Sequence, residues 1–252
     1  MPMPRVHLPI LQQFNPPAAV APDYAGKMTT AIANAIAGNL GHPSKMPGRS
    51  YGISAQQCHT GSKLRVIPGS VCSACYAMTD WYRSWRPLLE GHRRRMAGLR
   101  HPRWVDAMVK LITGACKEPD NYFRWHDSGD LQGVWHLSSI AAVCALTPGV
   151  HHWLPTREYE MVTAFLATGK TLPPNLTVRL SAHMIDASPV LPPELEGFPV
   201  STVSTVSARK GLQIVEGKGS VECRAVEARD NKCGNCRACW EPMVTCVNYP
   251  QH

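Results

Sequence analysis

No stretch of this sequence approaches the roughly 18 consecutive apolar residues of a membrane-spanning helix. Its opening, Met1-Pro-Met-Pro-Arg5, lacks the apolar core of a signal peptide. Together these absences exclude a membrane span and make the cytoplasm the expected compartment. No low-complexity tract and no exact internal repeat occurs, which disfavours a structural role built on repetition. Neither helix-turn-helix nor zinc-finger spacing is visible. Charged side chains are scarce, 17% against 44% hydrophobic ones, so a sizeable core can form.

Proline and glycine, by contrast, are plentiful. Twenty-two prolines and nineteen glycines imply many loops between short elements. The 252 residues suit one large domain or two small ones, and α/β barrels of about this length are common. The formal charge of +8 favours an anionic partner such as a nucleotide, a cofactor phosphate or nucleic acid. A merely soluble basic surface explains the charge equally well.

Ten cysteines are the most telling presence. Cytosolic thiols stay reduced, so clustered cysteines there bind metal more often than they pair. One group reads Gly69-Ser-Val-Cys72-Ser-Ala-Cys75-Tyr76. The other reads Cys233-Gly-Asn-Cys236-Arg-Ala-Cys239-Trp240, preceded by Cys223 and about 160 residues further on. A single tetrahedral zinc rarely takes three ligands at Cys-x2-Cys-x2-Cys reach, whereas a cubane with irons at several corners can. The first expectation is therefore an iron–sulfur protein, and the second a zinc protein.

Cys58, Cys72 and Cys75 make an N-terminal set of three, and Cys223, Cys233, Cys236 and Cys239 a C-terminal set of four. Three plus four suggests one [4Fe-4S] cluster with an open iron and one fully ligated cluster. Other partitions stay open. One cubane or one zinc takes Cys72 and Cys75 with two C-terminal cysteines, or a zinc sits wholly in the C-terminal set. Cys116 and Cys144 fall in predicted helices as small core residues, and Cys246 is left unassigned. Tyr76 and Trp240 follow the clusters and either shield a cofactor or pack in the core.

Residues 1–45 read as a proline-rich arm (1–27) with a short helix, Met28–Leu40. Residues 46–216 read as the core, and 217–252 as a cysteine-rich metal-binding segment closing onto the N-terminal cysteine loop. Ser50–Ala55 suits a strand. Trp85–Leu99 suits a basic helix with His92, Arg93, Arg94 and Arg95 on its exposed side. A second helix starts at Pro102, with Trp104, Met108, Leu111 and Ile112 at core spacing. Strands at Tyr122–His126, Val150–Leu154, Leu176–Ser181 and Pro199–Val203 alternate with helices at Val134–Leu146 and Glu158–Thr168. Starts about 25 residues apart are the rhythm of βα units in a parallel sheet. The fold class is α/β with a barrel-like arrangement, a partial (β/α)8 barrel.

Polar residues stand just beyond each of those strands: His126 to Asp130, then Thr156, Arg157 and Glu158, then Ser181 and His183, then Ser204 and Thr205. Strand carboxyl ends are where α/β sheets and barrels place ligands. Any one of these residues is as well explained by helix capping. The four loops together point to a ligand-facing rim. Asp127, Asp130, Arg157 and His183 are its candidate catalytic residues. Ser128, with Tyr76 from the cysteine loop, is a candidate cofactor contact. His151 and His152 open a strand and lie away from the rim.

Four motifs carry a resemblance: Gly69 to Met78, Arg124-Trp-His-Asp-Ser-Gly-Asp130, Trp153-Leu-Pro-Thr-Arg157-Glu-Tyr159, and Cys233 to Trp240. In this order, over roughly residues 46–250, they resemble a phage family labelled gene product 88-like, whose members largely lack an assigned activity. The resemblance implies a phage protein expressed in the bacterial host cytoplasm. A second, looser likeness is to radical S-adenosylmethionine (SAM) enzymes, which hold three cysteines in the loop after the first barrel strand. Their Cys-x3-Cys-x2-Cys run is absent here, so Cys58 would have to supply the third thiolate.

The leading functional expectation is an iron–sulfur enzyme acting on a small or nucleotide-like anion, with SAM as a candidate cofactor. Arg157 would hold a carboxylate or phosphate, and Asp127 and His183 would move protons or orient a hydroxyl. The alternative is a metal-stapled binding protein, iron–sulfur or zinc, that acts on a host component or nucleic acid through Arg93–Arg95.

Overall fold

Short strands that all run one way dominate the architecture. A computed structural model describes residues 26–79, 82, 84–195, 203–208, 219–225 and 231–251. β1 (Arg49–Tyr51), β2 (Tyr122–Trp125), β3 (His151–Thr156), β4 (Leu176–Ser181), β5 (Val203–Ser207), β6 (Ser220–Glu222) and β7 (Cys246–Pro250) form one sheet. Its order is β1-β2-β3-β4-β5-β7-β6, and every neighbouring pair is parallel. The sheet begins at β1 and ends at β6. Among the described residues no ladder joins these two edges, so the barrel is not closed there.

Six described helices are α1 (Thr30–Ala37), α2 (His59–Leu64), α3 (Arg86–Gly98), α4 (Trp104–Ala115), α5 (Val134–Ala145) and α6 (Tyr159–Ala167). α4 buries Trp104, Ala107, Met108, Leu111 and Ile112, the three-to-four-residue spacing of one helical face. β4 is buried along its whole length, as a central strand covered on both faces must be. β2 alternates, with Phe123 and Trp125 buried and Tyr122 and Arg124 half-buried on the opposite face. α1 and α3 meet at Gly98, where any Cβ would run into the Ile36 carbonyl oxygen.

The two faces of the sheet are covered differently. Phe123, Trp125, Leu154, Val178 and Leu180 join residues of α1, α4, α5 and α6 in one apolar core. On the other face Trp240 packs edge-on to Trp153 at 5.2 Å, and its indole N–H donates to the Phe123 carbonyl at 2.9 Å. The chain just before β7 is thus the lid of the second face. The segment expected as a cysteine-rich metal-binding piece, 217–252, also supplies β6 and β7 to the sheet.

Three expectations are corrected. The basic helix forms as α3, but His92 and Arg95 are buried instead of exposed. These two residues lie three apart and so share a face. Arg95 donates to the carbonyls of Asn39 and Gly52, both at 2.9 Å, while His92 meets the Ser128 hydroxyl at 3.1 Å. Arg93 and Arg94 do face solvent, where each pairs with Glu90 at 2.8 Å. The strand expected at 199–203 is β5, displaced towards the C-terminus, so Ser204 and Thr205 lie inside it instead of beyond it. There Ser204 bonds Ser181 at 2.9 Å and Thr205 bonds Asn248 at 2.7 Å. β6, β7 and the short α2 were not anticipated. Cys144 and Cys116 are buried core residues, Cys246 is buried in β7, and the arm over residues 1–25 lies outside the described residues.

Candidate functional site

The loops at the carboxyl ends of β2, β3 and β4 are stitched to one another by side chains. Asp130 accepts from the Leu131 N–H at 2.8 Å, the Thr156 hydroxyl at 2.6 Å and the Arg157 N–H at 2.9 Å. Arg157 Nε in turn donates to the Ala182 carbonyl at 3.1 Å. His183 stacks on Tyr159 at 4.5 Å, with its Nε2 3.1 Å from the Arg157 carbonyl oxygen. The candidate residues Asp130, Arg157 and His183 therefore stand in one network.

The N-terminal cysteine loop is sewn to the same end. The Val71 N–H donates to the His183 carbonyl at 2.9 Å, and the Ile185 N–H donates to the Gly69 carbonyl at 2.9 Å. Cys58 precedes α2 as its N-cap without making a side-chain cap bond. Glu158 supplies that bond from across the chain, accepting from the Thr60 N–H at 2.8 Å and the Thr60 hydroxyl at 2.7 Å. The carboxylate relieves Cys58 of the capping role.

Gly61 makes room for the thiols. A Cβ there would lie 2.9 Å from the Cys58 Cβ, 3.6 Å from the Cys72 Sγ and 3.7 Å from the Cys58 Sγ. Burial raises the pKa of the Cys58 thiol, and the negative charges of Asp130, Cys75, Glu158 and Cys72 raise it further. Burial raises Cys72 as well, while the Arg157 and Arg65 charges act against it. Asp130 is pushed up to about 6, first by burial and then by the charge of Glu158. Glu158 is raised mainly by burial. Cys58, Cys72 and Cys75 thus form one electrostatic group with two buried carboxyls and two guanidinium groups.

The C-terminal cysteines make a second group. Burial raises Cys233, Cys223 and Cys236 raise it further, and Arg237 and Arg124 pull it down. Cys239 is pushed up to about 12, by burial first. Its Sγ lies 3.1 Å from the Tyr249 hydroxyl. This loop is anchored by the buried Arg179, which donates to the carbonyls of Ala238, Cys239, Glu241 and Val244 at 2.7–3.0 Å. The Cys233 N–H also donates to the Lys45 carbonyl at 2.8 Å. The thiols acting on Cys58 are Cys72 and Cys75, whereas those acting on Cys239 are Cys223 and Cys233.

Among the described residues, no three His, Cys, Asp or Glu side chains are arranged to hold a single metal ion. Zinc would draw its sulfurs to one point at about 2.3 Å. A cubane gives each thiolate a different iron and asks only that the sulfurs face one space.

Other candidates are committed to the fold. The Ser128 hydroxyl donates to the Ile53 carbonyl at 2.8 Å, and Asp127 accepts from the Ser50 hydroxyl at 2.8 Å and the Ser128 N–H at 3.1 Å. The Tyr76 hydroxyl donates to the Asp127 carbonyl, and its exposed ring meets Tyr82 edge-on. Sequence reading placed Glu158 on the rim but not among the catalytic candidates, and it missed Thr60, Gly61, Arg65 and Arg124. A glycine inside a six-residue helix bounded by a cysteine was the one available signal. Among the described residues, no helix is long and apolar enough to cross a membrane.

A comparison with curated proteins found no match, and one with solved structures found none. The model of a family described as gene product 88 matches residues 21–242, which takes in both cysteine groups and the stitched loops between them. The chain belongs to the gene product 88 family.

Proposed function

We propose that this chain is an iron–sulfur protein, and that the end of the sheet carrying Cys58, Cys72 and Cys75 is the active site of an enzyme for a small, nucleotide-like anion. The observation that carries this reading is the approach of both Cys58 and Cys72 to one point beside Gly61, where the charges of Asp130 and Arg157 act on them. An open sheet curved as part of a barrel is the scaffold this reading expects. Cys58, Cys72 and Cys75 would hold a [4Fe-4S] cluster, and Cys223, Cys233, Cys236 and Cys239 a second one. When bound, the three-thiolate cluster supplies single electrons and an iron open to a substrate or to SAM.

The chain's own groups then have defined tasks. Burial and the charge of Glu158 raise Asp130, so a proton on Asp130 is favoured up to a pH of about 6. That proton stands beside Cys58 and Cys72, where protonation near neutral pH is useful to acid–base chemistry. Arg157, held by the Ala182 carbonyl, offers positive charge next to Cys72. Glu158 positions Cys58 through the N-terminus of α2. The alternative, a metal-stapled protein binding nucleic acid through Arg93–Arg95, is weakened because Arg95 is buried and the other two arginines share Glu90.

Anaerobically prepared protein should be brown, with iron, acid-labile sulfide and a broad shoulder near about 400 nm. Cys58→Ala should lose part of the iron and Cys236→Ala another part, whereas Cys144→Ala should keep all of it. Spin resonance of the reduced protein should change on adding SAM, and should cease to do so in Cys58→Ala. Stoichiometric zinc without iron or sulfide would sink the cluster reading.

A further inference from the structure

On the face of the sheet away from the helices, two buried donors lie side by side without a protein acceptor. Arg124 sits on β2 with its guanidinium carbon 4.6 Å from the centre of the Trp153 ring on β3. Its buried Nε and the buried indole Nε1 of Trp153 have no hydrogen-bond partner among the described residues. Its Nη1 reaches only the Met46 thioether, a weak acceptor at 3.8 Å. Native proteins leave few buried donors unmatched, and two on touching side chains of like polarity call for a common acceptor.

Among the described residues no carboxylate forms an ion pair with Arg124. Asp127, three residues further on, accepts instead from Ser50 and Ser128. Arg237 adds positive charge, standing 4.8 Å from the Tyr122 ring centre. The place is also central. The carbonyl of Lys45, next to the Met46 that Arg124 touches, accepts from the Cys233 N–H at 2.8 Å, and the Tyr76 hydroxyl donates to the carbonyl of Asp127 just beyond β2, so both cysteine groups are tied in beside Arg124.

We propose that Arg124 and Trp153 form an anion-binding site, which seats the phosphate or carboxylate group of the substrate on the inner face of the sheet where both cysteine groups are tied in. The planar guanidinium is fixed against the indole, and its remaining donors match an anion with two or more oxygens. Trp153 is itself held edge-on by Trp240, so the C-terminal lid shapes the site. The inference rests on the preceding proposal for the identity of the anion as substrate, whereas the binding site itself needs no metal.

The test is calorimetry on the full chain with inorganic phosphate and, separately, malonate as probes. One of the two should bind at one site in the roughly millimolar range, which also distinguishes phosphate from carboxylate recognition. Arg124→Gln should weaken that binding at least tenfold, Arg124→Lys should weaken it less, and Arg93→Gln should leave it unchanged. Trp153→Phe should keep most of the binding but lose most of the anion-induced change in tryptophan fluorescence, a readout that stands even if Arg124→Gln does not fold. Failure of both anions to bind the wild type, equal binding by Arg124→Gln, or an undiminished fluorescence response in Trp153→Phe would each overturn the proposal. Iron assayed on the same samples separates the two readings. Anion binding without iron removes the cluster alone, and iron without anion binding removes the Arg124 site alone.

Discussion

The two cysteine groups are built on opposite principles. The N-terminal group hangs on loops whose charged neighbours include two buried carboxyls able to titrate: Asp130 and Glu158 act on its thiols together with the fixed charges of Arg157 and Arg65. The C-terminal group has Arg237 and Arg124 acting on Cys233, but its loop is held chiefly through backbone carbonyls. Arg179 gathers four carbonyls of its loop, Thr177 donates to the Trp240 carbonyl at 2.7 Å, and Cys239 meets a tyrosine rather than a carboxyl. Charges that respond to protons suit chemistry, whereas a buried cation holding carbonyls suits a permanent clasp. The difference argues for a working site at the first group and a structural one at the second.

The largest expected effect tests the clasp. Arg179→Met removes a fully buried guanidinium and strands the four carbonyls it serves. Each lost charge-assisted bond leaves an unpaired buried group, so unfolding should become easier by about 3 kcal/mol or more. Denaturant melts measure this directly, and a change under about 1 kcal/mol would show the clasp to be ornamental.

A smaller effect sharpens the first group. Alanine is worth up to about 1 kcal/mol over glycine inside a helix. Gly61→Ala should nevertheless give no gain, because its methyl group would lie 2.9 Å from the Cys58 Cβ and displace Cys58 from Cys72. Iron per chain should fall to the share held by the C-terminal group, while the circular dichroism melt moves little. A full complement of iron in this variant would mean that Cys58 and Cys72 do not share a cluster.

The smallest effect concerns the proton at Asp130. Its carboxyl should titrate near about 6 by carbon NMR in metal-free protein, and lower once Glu158→Gln removes the neighbouring charge. A folded value above the ordinary one means that the native state holds this proton more tightly than the unfolded chain does. The stabilisation is complete below the ordinary carboxyl range and is lost as pH rises through about 6. An ordinary Asp130 value, unmoved by Glu158→Gln, would remove the coupled pair from the mechanism.

Much of the parallel βα frame was legible from spacing. β4 runs over the expected residues, and β2, β3, α4, α5 and α6 fall within a few positions of theirs. These elements announce themselves because burial against one another imposes a period on their sequences. β6 and β7 did not, since a three-residue strand has no period to read and β7 is bounded by a cysteine and a proline. The rim was legible as a set of polar residues after strands. What each does was not, because Asp130 as a stitch and Glu158 as a cap depend on partners 26 and 98 positions away.

By itself, then, the sequence determined an α/β chain with a parallel sheet, two cysteine groups and a family membership, because local period and motif spacing survive without knowledge of contacts. The tertiary structure alone decided that Cys58 and Cys72 meet beside Gly61, that Arg95 turns inward, and that Arg124 stacks on Trp153. Those outcomes depend on which loops a parallel sheet brings to one end and which side chains its pleat turns to one face. Only pairing across the sheet sets either.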